Sequence, residues 1–300
     1  LSEMRSRHNI LSPETRWLLA RKAFEMTAAY DRAITLRLAQ VDAPTAAMPA
    51  ALSLHVPKAA DLRYGENPHQ HAALYRRLGA GGVANGRQLH GKELSYNNLV
   101  DVDAAWQLIS EFQGAPATAI IKHTNPCGCA QAATLADSYR RALEADPVSA
   151  FGGVLAFNQP VDGETAAEIA KIFTEVIAAP SFTPDALEIL TAKKNLRLLA
   201  VDSGGLDDLV VKTITGGYLV QSADRAYLDR ASARVVTARP PSDDEWTALE
   251  FGWKVVKHVK SNAIVYARAG QLISAGMGQT SRVDAVKMGA LKAQLPLPGS

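Results

Sequence analysis

From residue 52 to its end the chain alternates short apolar runs with amphipathic helical patterns, and this alternation constrains the fold more than any other feature. Leu52 to Val56, Ala117 to Ile121, Val154 to Phe157, Val176 to Ala179, Leu196 to Val201, Leu219 to Val220, Ala263 to Tyr266 and Leu272 to Ser274 are too short for stable helices and read as strands. Between them, Leu99 to Phe112 and Leu135 to Glu144 repeat apolar residues at helical spacing. Further helices are expected from about Ala166, Asp185, Asp243 and Arg282. Strands and helices in alternation bury their apolar faces as helical layers on a sheet, which predicts an α/β fold.

The first residues differ. Ser12-Pro13-Glu14 reads as an N-cap, a first-turn proline and an acidic first turn, followed by Trp17, Ala20, Phe24 and Thr27 at helical spacing. A second helical pattern runs through Tyr30, Ile34 and Leu38, and no strand precedes either. Residues 42–51 are rich in Ala and Pro and read as a linker, so the expected division is 1–41, 42–51 and 52–300. Leu1 is not an initiator methionine, and the start reads as an internal cut.

A hydrophobic content of 47% with 21% charged residues suits a globular chain with substantial cores and excludes fibrous and disordered classes. The formal charge of +2 gives no footprint for a nucleic-acid backbone, although a small anionic ligand remains open. No stretch approaches the roughly 18 apolar residues of a membrane span, and Leu1 to Asn9 is polar, so a cytoplasmic protein with no membrane partner is expected. Cys127 and Cys129 are too close in sequence for a favourable mutual disulfide, which argues for reduced thiols.

The densest chemistry lies in Ala119 to Gly128, where an apolar run delivers Lys122 and His123 into a turn. Neighbouring strand residues point to opposite faces, so these two share a pocket only if the strand has ended at them, and Asn125-Pro126 and Gly128 are expected to end it. A solvated lysine and a hydrogen-bonded histidine at a surface strand exit is the competing reading. Pro126-Cys127-Gly128-Cys129 after His123 faintly resembles one half of a zinc-deaminase signature. The spacing is one residue short and no His-x-Glu element occurs, so no metal is expected.

Four further segments stand out. Arg63 to Gln70 combines Arg63 and Tyr64 with Gly65 and Pro68, a polar loop suited to a phosphate or to packing on itself. Asp146 to Gly153 leads into a strand through paired glycines, which admit a ligand close to the backbone or mark a β-bulge. Glu175 begins an apolar strand and is either a partner for an amine or amide or a solvated strand end. Ser274 to Arg282 joins a strand to a helix through Gly276 and Gly278, exposing helix N-terminal amides suited to an anion. A second Lys-His pair, Lys257-His258, hints at a duplicated architecture.

Taken together, Arg63-Tyr-Gly-Glu-Asn-Pro-His-Gln70, Gly91-Lys-Glu-Leu-Ser-Tyr-Asn-Asn98, Lys122-His-Thr-Asn-Pro-Cys-Gly128, Ser149-Ala-Phe-Gly152, Lys260-Ser-Asn262 and Gly278-Gln-Thr-Ser-Arg282 closely resemble the bifunctional purine-biosynthesis enzymes that combine AICAR formyltransferase with IMP cyclohydrolase. The resemblance covers about residue 52 to the end, while Leu1 to Leu38 looks like the last helices of the cyclohydrolase domain. It implies two cytidine-deaminase-like α/β subdomains without zinc, a homodimer, and transfer of a formyl group from 10-formyltetrahydrofolate to the 5-amino group of AICAR. It also implies roles. Lys122 and His123 are the catalytic pair, Arg63 and Tyr64 hold the nucleotide, Asn262 and Glu175 contact its amine and carboxamide, Gly152 lines the pocket and Arg282 faces the folate.

That chemistry needs a base for a poorly nucleophilic amine, a donor for the tetrahedral oxyanion and an acid for the departing folate nitrogen. His123 suits the base, and a Lys122 cation beside it disfavours protonated imidazole. By the same resemblance, a cyclohydrolase nucleotide site is expected before Leu1 and a phosphate-binding tail after Ser300. A chain without them is expected to be a weak or inactive formyltransferase, the alternative being a catalytically incomplete fragment that only binds nucleotide weakly.

Overall fold

The computed structural model describes residues 1–42, 48–77, 79–202 and 208–300; the centre of the expected linker, residues 43–47, lies outside the described residues. The chain forms two compact units, Leu1–His55 and Val56–Ser300. In the first, α1 (Ser2–Ser6) precedes α2 (Pro13–Asp42). The expected cap is present: Ser12 Oγ accepts the Thr15 amide at 3.1 Å. Glu3 accepts both the Thr15 hydroxyl, at 2.7 Å, and the Ser12 amide, at 3.0 Å, and these bonds, the first above all, hold its carboxyl down at about 2. The two expected helical patterns are one uninterrupted helix, because no Gly or Pro falls between Glu14 and Asp42 to break it.

The second unit begins with a small antiparallel ribbon of β1 (Lys58–Leu62) and β2 (Ala72–Tyr75). The expected strand Leu52 to Val56 is not one. A strand needs a partner for its backbone groups, and the ladder with β2 starts only after Pro57, which has no amide to donate. A single 3-10 turn at Val83–Asn85 leads into β3 (Arg87–His90) and α3 (Tyr96–Ile109), whose N-terminus carries a Ser95–Asn98 capping box. There follow β4 (Ala117–Lys122), β5 (Asn125–Gln131), α4 (Leu135–Ala145), α5 (Pro147–Ala150), β6 (Gly153–Phe157), α6 (Gly163–Ile169), β7 (Thr174–Ala179), α7 (Pro184–Thr191) and β8 (Arg197–Ala200). Another ribbon, β9 (Leu209–Ile214) with β10 (Gly217–Ser222), precedes α8 (Asp243–Val256), β11 (Ile264–Arg268), β12 (Gln271–Gly276) and α9 (Arg282–Lys292).

Eight strands form one mixed sheet in the order β11-β12-β5-β4-β6-β7-β8-β3, parallel only at β6-β7 and β7-β8. This is the α/β architecture expected from the alternation. Its central strands read as unbroken apolar runs because both faces are covered. Ile121, Val154, Ala156, Val176 and Ala178 pack with Val102, Ala105 and Trp106 of α3 and Phe251 of α8. Their neighbours Ile120, Leu155, Phe157, Ile177 and Ala179 pack on the other face with Tyr139 of α4, Ile169 of α6 and Leu190 of α7. The alternation fixes the register, since a slip of one residue would exchange the two faces.

Candidate functional site

The site residues gather where α3, the β4-β5 hairpin and the connections into β6, β11 and α9 meet. Strand β4 runs through Lys122 and reverses at once: Lys122 pairs with Asn125, and the loop is His123-Thr124 alone, with φ of 50° and 61°. A two-residue loop with both φ positive is a type I′ turn. The expectation that Asn125 to Gly128 ends the strand is therefore corrected. The reversal is made by His123 and Thr124, and Asn125 already belongs to β5. Pro126 is tolerated there because the ladder is irregular between Ile120 and Ile121, which pair with Gly128 and Pro126 and leave Cys127 as the bulged residue.

Lys122 and His123 leave the hairpin in different settings. The Lys122 ammonium donates to the carbonyl oxygens of Gly152, at 2.7 Å, and Phe151, at 3.2 Å. Gly152 has φ 65°, and a Cβ there would lie 3.3 Å from the lysine nitrogen and from the Phe173 ring, so the position requires glycine. Its amide donates to Phe173 O at 2.8 Å. The Asp146 to Gly153 segment leads into β6 as expected and contains the single turn α5, capped by Asp146, which accepts the Ser149 amide at 2.9 Å. The His123 side chain is exposed and has no hydrogen-bond partner among the described residues.

Asn125 ties the hairpin onward. Its Nδ2 donates to His123 O at 3.0 Å, and its Oδ1 accepts the Lys260 amide at 3.2 Å. Two residues later, Asn262 exchanges backbone bonds with Gln279, and its Nδ2 donates to the carbonyls of Gln279 and Thr280, each at 3.1 Å. With both amide protons so used, Oδ1 of Asn262 remains as an acceptor. Arg282 opens α9 next to this turn and is exposed. The helix start is less open to an anion than its two glycines suggest. Gly276 lies in β12, where a Cβ would fall 1.8 Å from Ala285 O, so it serves close packing of α9, and the Ser281 hydroxyl caps the Asp284 amide.

On the other side of the hairpin, α3 is the hub. Asn97 Nδ2 donates to Glu66 O at 3.2 Å, which attaches the Arg63 to Gln70 loop. In that loop the Arg63 guanidinium lies 4.7 Å from the Tyr64 ring and donates to its hydroxyl at 3.1 Å. Asn98 Nδ2 donates to Glu175 at 3.4 Å, and Glu175 pairs with Arg197 at 3.0 Å. Asp101 accepts the Thr124 amide at 2.7 Å. Asn98, Asp101, Asn125 and Arg197 are the residues that reading the sequence for candidate chemistry passed over. The sequence pattern starts this helix at Leu99, whereas α3 begins at Tyr96, and nothing local marks which of its polar residues faces the hairpin.

Neither cysteine is primed as a thiolate: burial pushes the Cys127 thiol up to about 12 and raises that of Cys129 further. Among the described residues no group of three or more His, Cys, Asp and Glu side chains is placed to hold a metal ion, and no helix is long and apolar enough to cross a membrane. The second Lys-His pair is not a structural repeat of the first. Lys257 and His258 follow α8 and are both bonded to the buried Glu111, at 2.8 and 3.1 Å.

Fold and site define a class: an α/β protein that assembles a polar site, with an ammonium and an imidazole side by side in sequence, at one end of a mixed sheet. The profile of the AICARFT/IMPCHase bienzyme family matches residues 1–292, and the chain belongs to that family. It is 52% identical over 285 residues to the bifunctional purine biosynthesis protein PurH of Roseobacter denitrificans, covering 92% of this chain and 53% of the relative. The PurH protein of Parvibaculum lavamentivorans is likewise 52% identical over 284 residues, covering 92% of this chain and 52% of the relative. The chain thus spans about half the length of these relatives.

Proposed function

We propose that the 52–300 region carries AICAR formyltransferase chemistry, moving a formyl group from 10-formyltetrahydrofolate to the 5-amino group of AICAR. The observation that supports this best is that hydrogen bonds tie all six sequence segments together: Asn97 of α3 to Glu66, Asp101 of the same helix to the Thr124 amide of the hairpin, Lys122 to Gly152, Asn125 to Lys260, and Asn262 to Thr280. In this reading the Asn262 Oδ1 accepts an N–H of the substrate amine, and His123 removes the proton as the new C–N bond forms. Lys122 has three donors, two of them used on main-chain oxygens, so one N–H is left for the tetrahedral oxyanion. Collapse breaks the bond from the formyl carbon to N10 of the folate, and that nitrogen takes up a proton. Arg63 and Tyr64 bind the phosphate, Glu175 the carboxamide, with Arg197 holding it in place, and Arg282 the folate.

The same reading assigns residues 1–41 to the end of a cyclohydrolase domain, places the protein in the cytoplasm, and makes it a homodimer whose pockets draw on both subunits. Single-turnover formyl transfer tests the chemistry: His123→Ala and Lys122→Ala each lower the rate about a hundredfold or more, and an unchanged rate removes that residue from the mechanism. Light scattering at micromolar concentration tests the dimer, and a species of monomer mass counts against it.

A further inference from the structure

We infer that Asp101 is a positioning residue for His123, clamping the strained hairpin tip in the one conformation that presents the imidazole to substrate. This rests on the formyl-transfer reading and extends it to a carboxylate outside the six recognisable segments.

Both residues of the tip have positive φ, 50° at His123 and 61° at Thr124. Such turns are built for Asn-Gly or Gly-Gly, and a β-branched threonine in the left-handed region is an outlier. Conformations of this kind persist only where their surroundings over-determine them. Two bonds at the tip come from Asn125, which belongs to the same hairpin: its Nδ2 reaches His123 O, and its Oδ1 receives the Lys260 amide. The third comes from α3. Asp101 Oδ1 accepts the Thr124 amide at 2.7 Å, the shortest of the three and the one with a charged acceptor.

The helix that supplies it is fixed in turn, since Val102, Ala105 and Trp106, just beyond Asp101, are buried in the core. The bond therefore links the peptide between His123 and Thr124 to a rigid body. Without it that amide has no partner among the described residues, and rotation of the peptide redirects the Cα–Cβ vector of His123. A carboxylate acting this way touches no substrate. It sets where the base stands.

The test compares Asp101→Ala, Asp101→Asn, Thr124→Gly and the double variant Asp101→Ala/Thr124→Gly in the full chain, with steady-state formyl transfer, thermal unfolding and 15N relaxation of the His123 amide. Asp101→Ala is expected to lower kcat by about tenfold to a hundredfold, the scale of a misplacement near 1 Å, with KM for the aminoimidazole nucleotide nearly unchanged. Asp101→Asn keeps an oxygen that accepts the Thr124 amide, and most of kcat is expected to return. Thr124→Gly relieves the strain, so Asp101→Ala is expected to lower Tm less in the Thr124→Gly background than alone, and the double variant also supplies a folded protein where the single one does not fold. Wild-type kcat in Asp101→Ala, an Asp101→Asn as impaired as Asp101→Ala, or strictly additive Tm changes would each overturn the inference. Absence of formyl transfer in a wild-type chain extended to the length of its relatives refutes the functional reading instead. The clamp is then decided by the His123 order parameter, expected near about 0.85 in the wild type and below about 0.6 in Asp101→Ala, with no change counting against it.

Discussion

Two Lys-His dipeptides, 135 residues apart in sequence, show how little the dipeptide itself decides. Lys122-His123 sits at a hairpin reversal, with the imidazole exposed and without a hydrogen-bond partner among the described residues, and the ammonium bonded to main-chain oxygens. Lys257-His258 follows the end of α8, where both side chains converge on one carboxylate, Glu111, whose side chain is only 4% exposed. Its pair partner Lys257 is 10% exposed and lies 5.5 Å from the Tyr227 ring. In the first pair the imidazole and one ammonium N–H remain available to a ligand; in the second both side chains are engaged by Glu111. The first setting suits chemistry and the second suits holding α8 to the end of α3.

Variants can break or sharpen this contrast. The largest effect is expected from Glu111→Ala, which leaves Lys257 buried beside an empty site and should cost about 3–5 kcal/mol of stability by denaturant titration. A loss below about 1 kcal/mol would make the second pair a surface ornament like many exposed ion pairs. His123→Ala inverts the pattern. The hundredfold loss of transfer rate corresponds to about 2.7 kcal/mol of transition-state stabilisation, while folding stability should stay within about 0.5 kcal/mol because the side chain is exposed.

Gly152→Ala comes next. It forces a Cβ into the left-handed region and against the Lys122 ammonium, and is expected to cost about 1–2 kcal/mol of stability together with a slower transfer step. An alanine variant with full rate and stability would show that Lys122 does not depend on that carbonyl.

Acid supplies the smallest effect. Burial works against the Glu111 charge, yet hydrogen bonds from His258 and Lys257 outweigh it and hold the carboxyl below its ordinary value. A depressed folded value means that the ionised carboxylate contributes stability in full above the unfolded value of about 4.3, and that this contribution is lost as pH falls through the folded value. Denaturant midpoints measured from pH 6 downward should therefore fall below pH 4.5 or so in the wild type and less in Glu111→Gln. Parallel curves would remove Glu111 from the acid limb.

The sheet was legible where apolar runs are buried on both faces, as at Ile120-Ile121, Val154 to Phe157 and Val176 to Ala179. It was illegible where a strand is polar or irregular. Lys58–Leu62 has a charge at its start and another within it, β5 opens with Asn-Pro and carries a bulge, and only the partner strand makes either one a ladder. Leu52 to Val56 has the right side chains and no partner strand among the described residues. For the site, local chemistry marked Lys122, His123 and the loop at Arg63. Asp101 and Arg197 stayed invisible because an acid on a helix and an arginine at a strand start are ordinary until tertiary contacts decide what they face.

The path joining the six segments has a kinetic consequence. Its bonds connect residues 23 apart at Asp101 and Thr124, 31 apart at Glu66 and Asn97, and 135 apart at Asn125 and Lys260. Closing such loops costs entropy before any contact repays it, and chains dominated by distant pairings fold slowly. The β4-β5 hairpin and the helices can form early from local contacts, whereas the loop at Arg63, the hairpin tip and the Asn262 turn meet only when residues from Glu66 to Thr280 have been brought together. During refolding, recovery of catalytic competence should therefore trail recovery of secondary structure, and a nick anywhere between these segments should uncouple the two.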